Sequence, residues 1–284
     1  MSNRIPPATL VLGAIVSVQV GAAVAKSLFD DAGPAGTVLL RVGFAALVLW
    51  LLWRPRPGAH DRADLWLAAA FGVTLAGMNL AFYEALDRIP LGIAVTLEFV
   101  GPLGVAVAAS GRALDLLWVG LAAAGILLLA DLGGGAVDAT GVALALLAGC
   151  FWAAYILVSE RVGRAFTGGA GLALAMAVAT ALLAPAGAAE GGAALLDPRV
   201  LAVGAAVAML SSAIPYSLEL EALRRMPAGI FGVLMSLEPV VAALAGLAIL
   251  GEVLGVREWT GIALIVAACA GAARSAPVSR PVEA

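Results

Sequence analysis

The stretch EALDRIPLGI occupies residues 84–93, and a close copy of it, EALRRMPAGI, occupies residues 221–230. Seven of the ten positions are identical without a gap, at a constant offset of 137 residues. The same offset relates Pro102 to Pro239, which follow the two copies. Agreement of this length at one fixed offset indicates an internal duplication.

The composition of the chain is that of a membrane protein. Of its 284 residues, 63% are hydrophobic and only 12% are charged, and the mean hydropathy is +1.05. An ordinary soluble domain carries about 25% charged residues. We therefore expect an all-α integral membrane protein whose principal surroundings are the lipid bilayer.

Apolar runs long enough to span a bilayer as helices occur ten times along the chain. They are separated by short loops, which predicts antiparallel neighbours and no extramembrane domain. The predicted spans are residues 7–28, 35–53, 65–86, 90–109, 114–131, 139–160, 169–187, 199–222, 228–250 and 257–274.

The distribution of arginine predicts the orientation of these ten helices. With the N-terminus inside, only Arg88, Arg199 and Arg257 fall in outer loops. The inner segments then contain Arg4, Arg54, Arg56, Arg62, Arg112, Arg161, Arg164, Arg224, Arg225, Arg274 and Arg280. Cytoplasmic loops carry the excess of basic residues in membrane proteins, so both termini are predicted to be cytoplasmic.

The duplication is predicted to be inverted in the membrane. It relates the third and fourth spans to the eighth and ninth, a displacement of five spans, and an odd displacement reverses the direction of the copy. We therefore predict two five-helix repeats of opposite orientation, residues 1–138 and 139–284. Inverted repeats of this kind are the architecture that secondary transporters use for alternating access.

A carboxylate in the middle of a span marks the predicted site of function, because a charge at that depth is costly. Glu98 lies eight residues into the fourth span, and Pro102 cannot supply the N–H that would bond its carbonyl group. Pro239 frees the carbonyl of Met235 in the same way, and Pro215 frees that of Ser211. Such breaks tend to line binding cavities. Alternatively, these prolines only kink the helices, and Glu98 forms a static ion pair with Lys26 or Arg41.

Other polar and aromatic residues at similar depth complete a predicted substrate site, although interhelical packing remains the alternative for the aromatic ones. The predicted hinges are Pro102, Pro215 and Pro239. The predicted binding residues are Glu98, Gln19, Lys26, Arg41, Asn79, Tyr83, Trp152, Tyr155, Ser211, Tyr216, Met235 and Glu238. By contrast, we expect Glu84 and Glu221 to have a structural role, because each precedes an arginine by four residues.

Motifs of ATP hydrolysis, zinc proteolysis and serine hydrolysis are absent from the sequence. The single histidine, His60, falls in a predicted cytoplasmic loop. We therefore expect no enzymatic activity, no cofactor, no metal site and no nucleic-acid partner.

Several stretches resemble the EamA-type drug/metabolite transporters. Residues 141–148 with Trp152 and Ala153 are similar to the opening of that family's second repeat. Residues 17–29, 97–103, 215–219 and 235–246 are most similar to the threonine/homoserine exporter subgroup. This resemblance implies a proton-linked or facilitative exporter of amino acids or related metabolites in the bacterial inner membrane.

The sequence therefore predicts an exporter of small zwitterions, with threonine and homoserine as leading substrates. Glu98 and the freed carbonyls would hold the ammonium group, and Lys26, Arg41 or helix N-termini near Pro90 would face the carboxylate. One rival hypothesis is a broad-specificity exporter of drugs or cations. Another, of a different class, is a membrane scaffold or partner subunit that transports nothing.

Overall fold

The computed structural model of the protein describes residues 5–110, 115–129, 138–223, 225–226 and 228–275. Arg4, Arg112, Arg224, Pro227 and Arg280 lie outside the described residues. Within the described part, the chain forms thirteen α-helices. They are α1 (Pro7–Lys26), α2 (Phe29–Trp53), α3 (Arg62–Arg88), α4 (Leu91–Glu98), α5 (Val100–Ser110), α6 (Asp115–Leu129), α7 (Ala139–Ala165), α8 (Ala170–Gly191), α9 (Pro198–Ala208), α10 (Ile214–Leu223), α11 (Ala228–Met235), α12 (Glu238–Ala245) and α13 (Val256–Ser275).

Six helical stretches of the described residues are long and apolar enough to cross a membrane. They are Pro7–Lys26, Phe29–Trp53, Arg62–Arg88, Ala139–Ala165, Ala170–Leu196 and Ile230–Leu250. Shorter apolar helices cover Leu91–Val105, Leu116–Leu129 and Pro198–Ser212. The prediction of an all-helical protein with long apolar helices is thus confirmed.

Three predicted spans are interrupted, each close to one of the prolines predicted as hinges. The span predicted at 90–109 breaks between α4 and α5, and that at 228–250 breaks between α11 and α12. Their first halves end at Glu98 and Met235, which are the residues whose carbonyl groups Pro102 and Pro239 cannot bond. The two breaks lie 137 residues apart, at equivalent positions of the duplicated sequence. In the span predicted at 199–222, the π-helical segment Met209–Ala213 precedes Pro215.

The start of α2 is fixed by a carboxylate from α8. Gly33 has φ 68° and ψ 166°, so the regular part of the helix begins at Pro34. Glu190 accepts a hydrogen bond from the backbone N–H of Ala35 at 2.7 Å. A carboxylate at this position satisfies an N–H group that has no partner within the helix and complements the helix dipole.

The helices pack so that the first and second halves of the chain interleave. α1 packs on α10 and α12, while α3 packs on α7 and α8. α2 crosses α8, α4 crosses α12, and α6 crosses α13. The largest apolar cluster of the interior joins these elements and includes Tyr83, Leu86, Leu97 and Phe99.

Glycine permits the close crossing of α5 and α7 beside Glu98. A Cβ atom at Gly101 would lie 1.9 Å from the carbonyl oxygen of Gly149, so even alanine requires the backbone to move. We expect Gly101→Ala to destabilise the protein by about 1–3 kcal/mol, the usual cost of overpacking. Thermal unfolding of the purified protein in detergent measures this effect.

Gly104, one turn further along α5, is the matched control, because a Cβ atom there meets nothing within 4 Å. Gly104→Ala is expected to be neutral or slightly stabilising, since alanine is the better helix former. Equal unfolding temperatures for the two variants would contradict the crossing described here.

Candidate functional site

A cavity of about 220 Å³ lies between the helices of both halves of the chain. It is bordered by α1, α2, α3, α4, α7, α10, α11 and α12, together with the breaks and the π-helical segment. Its lining residues are Val18, Gln19, Ala22, Arg41, Met78, Asn79, Phe82, Val95, Glu98, Phe99, Trp152, Tyr155, Ser211, Glu219, Met235 and Glu238.

The charged lining of this cavity consists of three carboxylates and one guanidinium group. Glu98 and Glu238 are buried, with exposed fractions of 9% and 7%. Glu98 lies within electrostatic reach of Glu238 and Arg41. Glu238 lies within electrostatic reach of Glu219. Uncompensated charges are expensive in a low-dielectric interior, so the cavity is built for polar or charged contents.

Gln19 and Glu238 form a buried pair across α1 and α12. The amide nitrogen of Gln19 donates a hydrogen bond to Oε1 of Glu238 at 2.8 Å. Within the described residues, Oε1 of Gln19 and Oε2 of Glu238 have no hydrogen-bond partner. Buried polar atoms without partners are uncommon in folded proteins and point to a functional role.

Arg41 is held in place by a tyrosine and by a carbonyl group from the π-helical segment. Its Nη1 donates to the hydroxyl of Tyr83 at 3.3 Å, and its Nη2 to the carbonyl oxygen of Ser211 at 3.5 Å. The guanidinium also lies 5.5 Å from the centroid of the Tyr83 ring, a cation–π distance. Pro215 cannot donate to the Ser211 carbonyl group, and Arg41 donates to it.

The π-helical segment is also anchored to α1, directly beside Gln19. The hydroxyl of Ser17 donates to the carbonyl of Leu210 at 2.7 Å. A Cβ atom at Gly21 would lie 2.3 Å from Oγ of Ser211, so only glycine admits the segment this close. These contacts position the lining residues of α1 against those that follow Pro215.

Aromatic side chains form the apolar wall of the cavity. Phe99 meets Trp152 edge to face, with ring centroids 4.9 Å apart. Tyr155 stacks on Phe71 at 5.0 Å. On α3, the side-chain amide of Asn79 donates to the carbonyl of Leu75 at 2.8 Å, which fixes its orientation beside the cavity.

Comparison with known proteins gives the family. The chain is 44% identical over 270 residues to the threonine/homoserine exporter RhtA of Escherichia coli (strain K12), covering 93% of this chain and 90% of that protein. The proteins of the same name from Salmonella typhimurium strains LT2 and SL1344 match equally well, at 44% identity over the same shares of both chains. The EamA-like transporter family model matches residues 139–274. This chain belongs to the EamA-like transporter family.

A solved crystal structure shares the fold of this EamA-like transporter, with a TM-score of 0.59. The match covers 92% of this chain and 95% of that one, at 18% sequence identity. The relatives are bacterial and are named as exporters. With its long apolar helices, this transporter is a multi-pass protein of the plasma membrane.

Most residues predicted from the sequence of this transporter come together in one place. Nine of the twelve predicted binding residues line the cavity: Gln19, Arg41, Asn79, Glu98, Trp152, Tyr155, Ser211, Met235 and Glu238. Tyr83 lies behind the lining, fully buried, where it supports Arg41. The side chain of Tyr216 falls outside the described part of the chain.

The prediction that Lys26 is a binding residue is corrected, because Lys26 lies apart from the cavity. It pairs with neither Glu98 nor a lining residue. Its Nζ contacts Oε1 of Glu252 at 2.7 Å and the carbonyl of Ile89 at 3.2 Å. The second oxygen of Glu252 accepts from the N–H of Leu91 at 2.8 Å. We refer to Lys26, Glu252 and the backbone of residues 89–91 as the latch. The alternative of a static Glu98–Lys26 pair is wrong, because Lys26 pairs with Glu252 instead.

The freed carbonyl group of Glu98 also differs from expectation. It faces the backbone of α7, where a Cβ atom at Gly149 would lie 2.7 Å from its oxygen. The carbonyl oxygen of Glu98 therefore packs against α7. Glu98 contributes its side chain to the lining of the cavity.

The arginines of the duplicated stretch have different partners in the two copies. Arg225 pairs with Glu221 within α10 and its following turn, as predicted. Arg88 instead lies 3.7 Å from Asp138, which caps α7 by accepting from the N–H of Thr140 at 2.7 Å. That backbone hydrogen bond holds the pKa of the Asp138 carboxyl below its ordinary value, which keeps it ionised opposite Arg88.

Sequence reasoning missed seven lining residues: Val18, Ala22, Met78, Phe82, Val95, Phe99 and Glu219. The apolar ones carry no signal that separates them from other packed residues. Glu219 did carry a signal in the sequence. It lies four residues after Pro215 and eight after Ser211, a spacing that places these residues on one face of a helix.

Proposed function

We propose that this protein is a secondary transporter that exports small zwitterionic amino acids, with threonine and homoserine as its substrates. The proposal rests on the cavity, which presents the guanidinium of Arg41 and buried carboxylates to the same small space. A volume of about 220 Å³ falls below the ~300–1,000 Å³ typical of drug-sized ligand sites. The names of the relatives in Escherichia coli and Salmonella typhimurium agree with this substrate class.

In the proposed topology, ten spans form two inverted repeats, residues 1–138 and 139–284, with both termini in the cytoplasm. The packing pattern supports this arrangement. If each helix is replaced by the one five spans away, the contact between α3 and α7 becomes the contact between α10 and α1. In the same way, the contact between α3 and α8 becomes the contact between α9 and α2, and all four contacts are present. The equivalent helix breaks after Glu98 and Met235 support it further.

Transport proceeds by alternating access, in which the two repeats rock about the broken helices. The end of the bundle that contains the latch is external in the proposed topology. There Arg199 also lies 4.0 Å from Asp31, and Glu190 binds the N–H of Ala35, so several polar contacts join the two repeats. In the proposed mechanism, these contacts hold the outer end closed. Protons are the proposed coupling ion, and the mechanism includes no enzymatic step and no cofactor.

A broad-specificity cation exporter is the second candidate, and one observation favours it. The lining contains three carboxylates against one arginine, and aromatic rings such as Trp152 and Tyr155 can bind cations. Arg41 argues against this candidate, because a cation gains nothing from a guanidinium group in its binding site.

Thermal stabilisation of the purified protein distinguishes the two candidates. A ligand at a hundred times its dissociation constant stabilises the folded state by about 2.7 kcal/mol. We expect threonine and homoserine to raise the unfolding temperature by several degrees, and tetraphenylphosphonium to leave it unchanged. Stabilisation by the lipophilic cation alone would favour the second candidate and contradict the first.

A further inference from the structure

With Glu238 ionised, the Gln19–Glu238 pair allows only one arrangement of hydrogen bonds. An ionised carboxylate can only accept hydrogen bonds, so the amide nitrogen of Gln19 must face Glu238. The amide oxygen must then point away from it. Both atoms left over, Oε1 of Gln19 and Oε2 of Glu238, are therefore acceptors.

These two acceptor atoms are buried, and they belong to residues that line the cavity. Gln19 is 1% exposed and Glu238 is 7% exposed, and both residues are part of the lining. Within the described residues, neither oxygen receives a hydrogen bond. An ammonium group has three donors and no acceptor, so it complements two neighbouring acceptors better than any other substrate group.

The charges around the two buried glutamates differ, and this difference selects Glu238 over Glu98. Glu98 already lies within electrostatic reach of Arg41. Glu238 lies near Glu219, and its hydrogen-bond partner is the neutral amide of Gln19. Glu98 faces Glu238 as well as Arg41, so the protein supplies one positive neighbour there, whereas the charged neighbours of Glu238 are the carboxylates of Glu98 and Glu219. A cationic group on the substrate relieves that repulsion.

We propose that Gln19 and Glu238 form the ammonium subsite of the transporter, and that Arg41, beside Glu98, faces the substrate carboxylate. This assignment rests on the proposed function, since it divides one zwitterion between two ends of the cavity. Glu238 binds the ammonium directly, and Gln19 both binds it and orients Glu238. The assignment replaces the sequence-based hypothesis that Glu98 holds the ammonium group.

Binding measurements with truncated ligands test the assignment. The ligands are threonine, 3-hydroxybutanoate, which lacks the amino group, and 1-aminopropan-2-ol, which lacks the carboxylate. Glu238→Gln keeps the shape of the side chain and removes its charge. Because a hydrogen bond to a charged group is worth more than a neutral one, we expect threonine and aminopropanol to bind about ten- to a hundredfold more weakly. The binding of 3-hydroxybutanoate should change less than about threefold, since it makes no such bond.

Gln19→Met tests the second half of the subsite, with the same ligand pattern and a smaller effect expected. Glu160→Gln, on the exposed inner part of α7, is the control for the chemical change itself. Unfolding temperatures are measured for every variant. If Gln19→Met does not fold, Glu238→Gln still decides the question because it alters only one atom type.

Three results would overturn the assignment. In the first, Glu238→Gln weakens all three ligands equally, which indicates a structural role. In the second, it changes none of them. In the third, Glu98→Gln removes the preference for amine-containing ligands while Glu238→Gln retains it. A wild-type protein that binds no amino acid contradicts the proposed function itself, and that result is obtained before any variant is measured.

Discussion

Glu98→Gln is expected to reduce amino-acid export by about a hundredfold while leaving threonine binding intact or tighter. The carboxylate of Glu98 lies within electrostatic reach of Arg41 and balances its charge when no substrate is present. Without it, a half-buried guanidinium loses a counter-charge, a loss that reaches about 3–5 kcal/mol for fully buried pairs. The substrate carboxylate would then replace it, and release of the substrate would become the slow step of the transport cycle.

Separate measurements of binding and turnover distinguish this effect from that of Glu238→Gln, which weakens binding. Efflux from cells preloaded with threonine gives the rate, and calorimetry gives the affinity. Glu84→Gln, the same chemical change near the end of α3, is the control and is expected to retain transport because Glu84 does not line the cavity. Normal efflux from a normally expressed Glu98→Gln protein would show that Glu98 has no role in transport.

Breaking the latch is expected to open the external end of the transporter. Lys26 and Glu252 contribute a bond of 2.7 Å between the two proposed repeats, and both are largely shielded from solvent. Removal of one partner leaves the other charge partly buried, a cost that reaches about 3–5 kcal/mol for fully buried pairs. Glu252→Gln also weakens the bond to the N–H of Leu91, which fixes the start of α4.

Access to the cavity from outside gives the readout. Val95 lines the cavity one turn beyond Leu91, so Val95→Cys, in a protein in which Cys150 and Cys269 are replaced, reports on opening. We expect Glu252→Gln to raise its labelling rate by a membrane-impermeant thiol reagent at least tenfold, since about 1.4 kcal/mol is sufficient for that change.

The double variant Lys26→Met/Glu252→Gln gives a sharper test of the latch. Because neither charge is left alone, we expect its unfolding temperature to lie above that of Glu252→Gln. Labelling should remain fast, since the connection between the repeats is still missing. Labelling at the wild-type rate in both Glu252→Gln and the double variant would contradict the role of the latch.

Much of the fold could be predicted from the sequence because the relevant signals are local. Long apolar runs are sufficient to locate membrane helices, and the span predicted from residue 35 agrees with the regular part of α2, which begins at Pro34. Proline chemistry also gives the positions of the breaks, since α4 and α11 end at the residues four positions before Pro102 and Pro239. The change to a π-helical segment before Pro215 was not predicted, because it depends on contacts with Ser17 and Arg41 from other helices.

The candidate site was predictable to the extent that buried polar residues are costly and therefore conspicuous. Gln19, Arg41, Glu98 and Glu238 all attracted attention for that reason, and all line the cavity. The pairing among them was not predictable. Lys26 and Glu252 are 226 residues apart, and no sequence signal distinguishes that pair from one between Lys26 and Glu98.

Counterflow in proteoliposomes tests the central claim, export of small zwitterionic amino acids through this cavity, most directly. Vesicles that contain the purified protein are loaded with unlabelled threonine and diluted into a trace of labelled threonine. The account predicts transient accumulation of label, which homoserine inside the vesicles also supports and which Arg41→Gln abolishes. Accumulation that requires a lipophilic cation, or that is equal in protein-free vesicles, would contradict it.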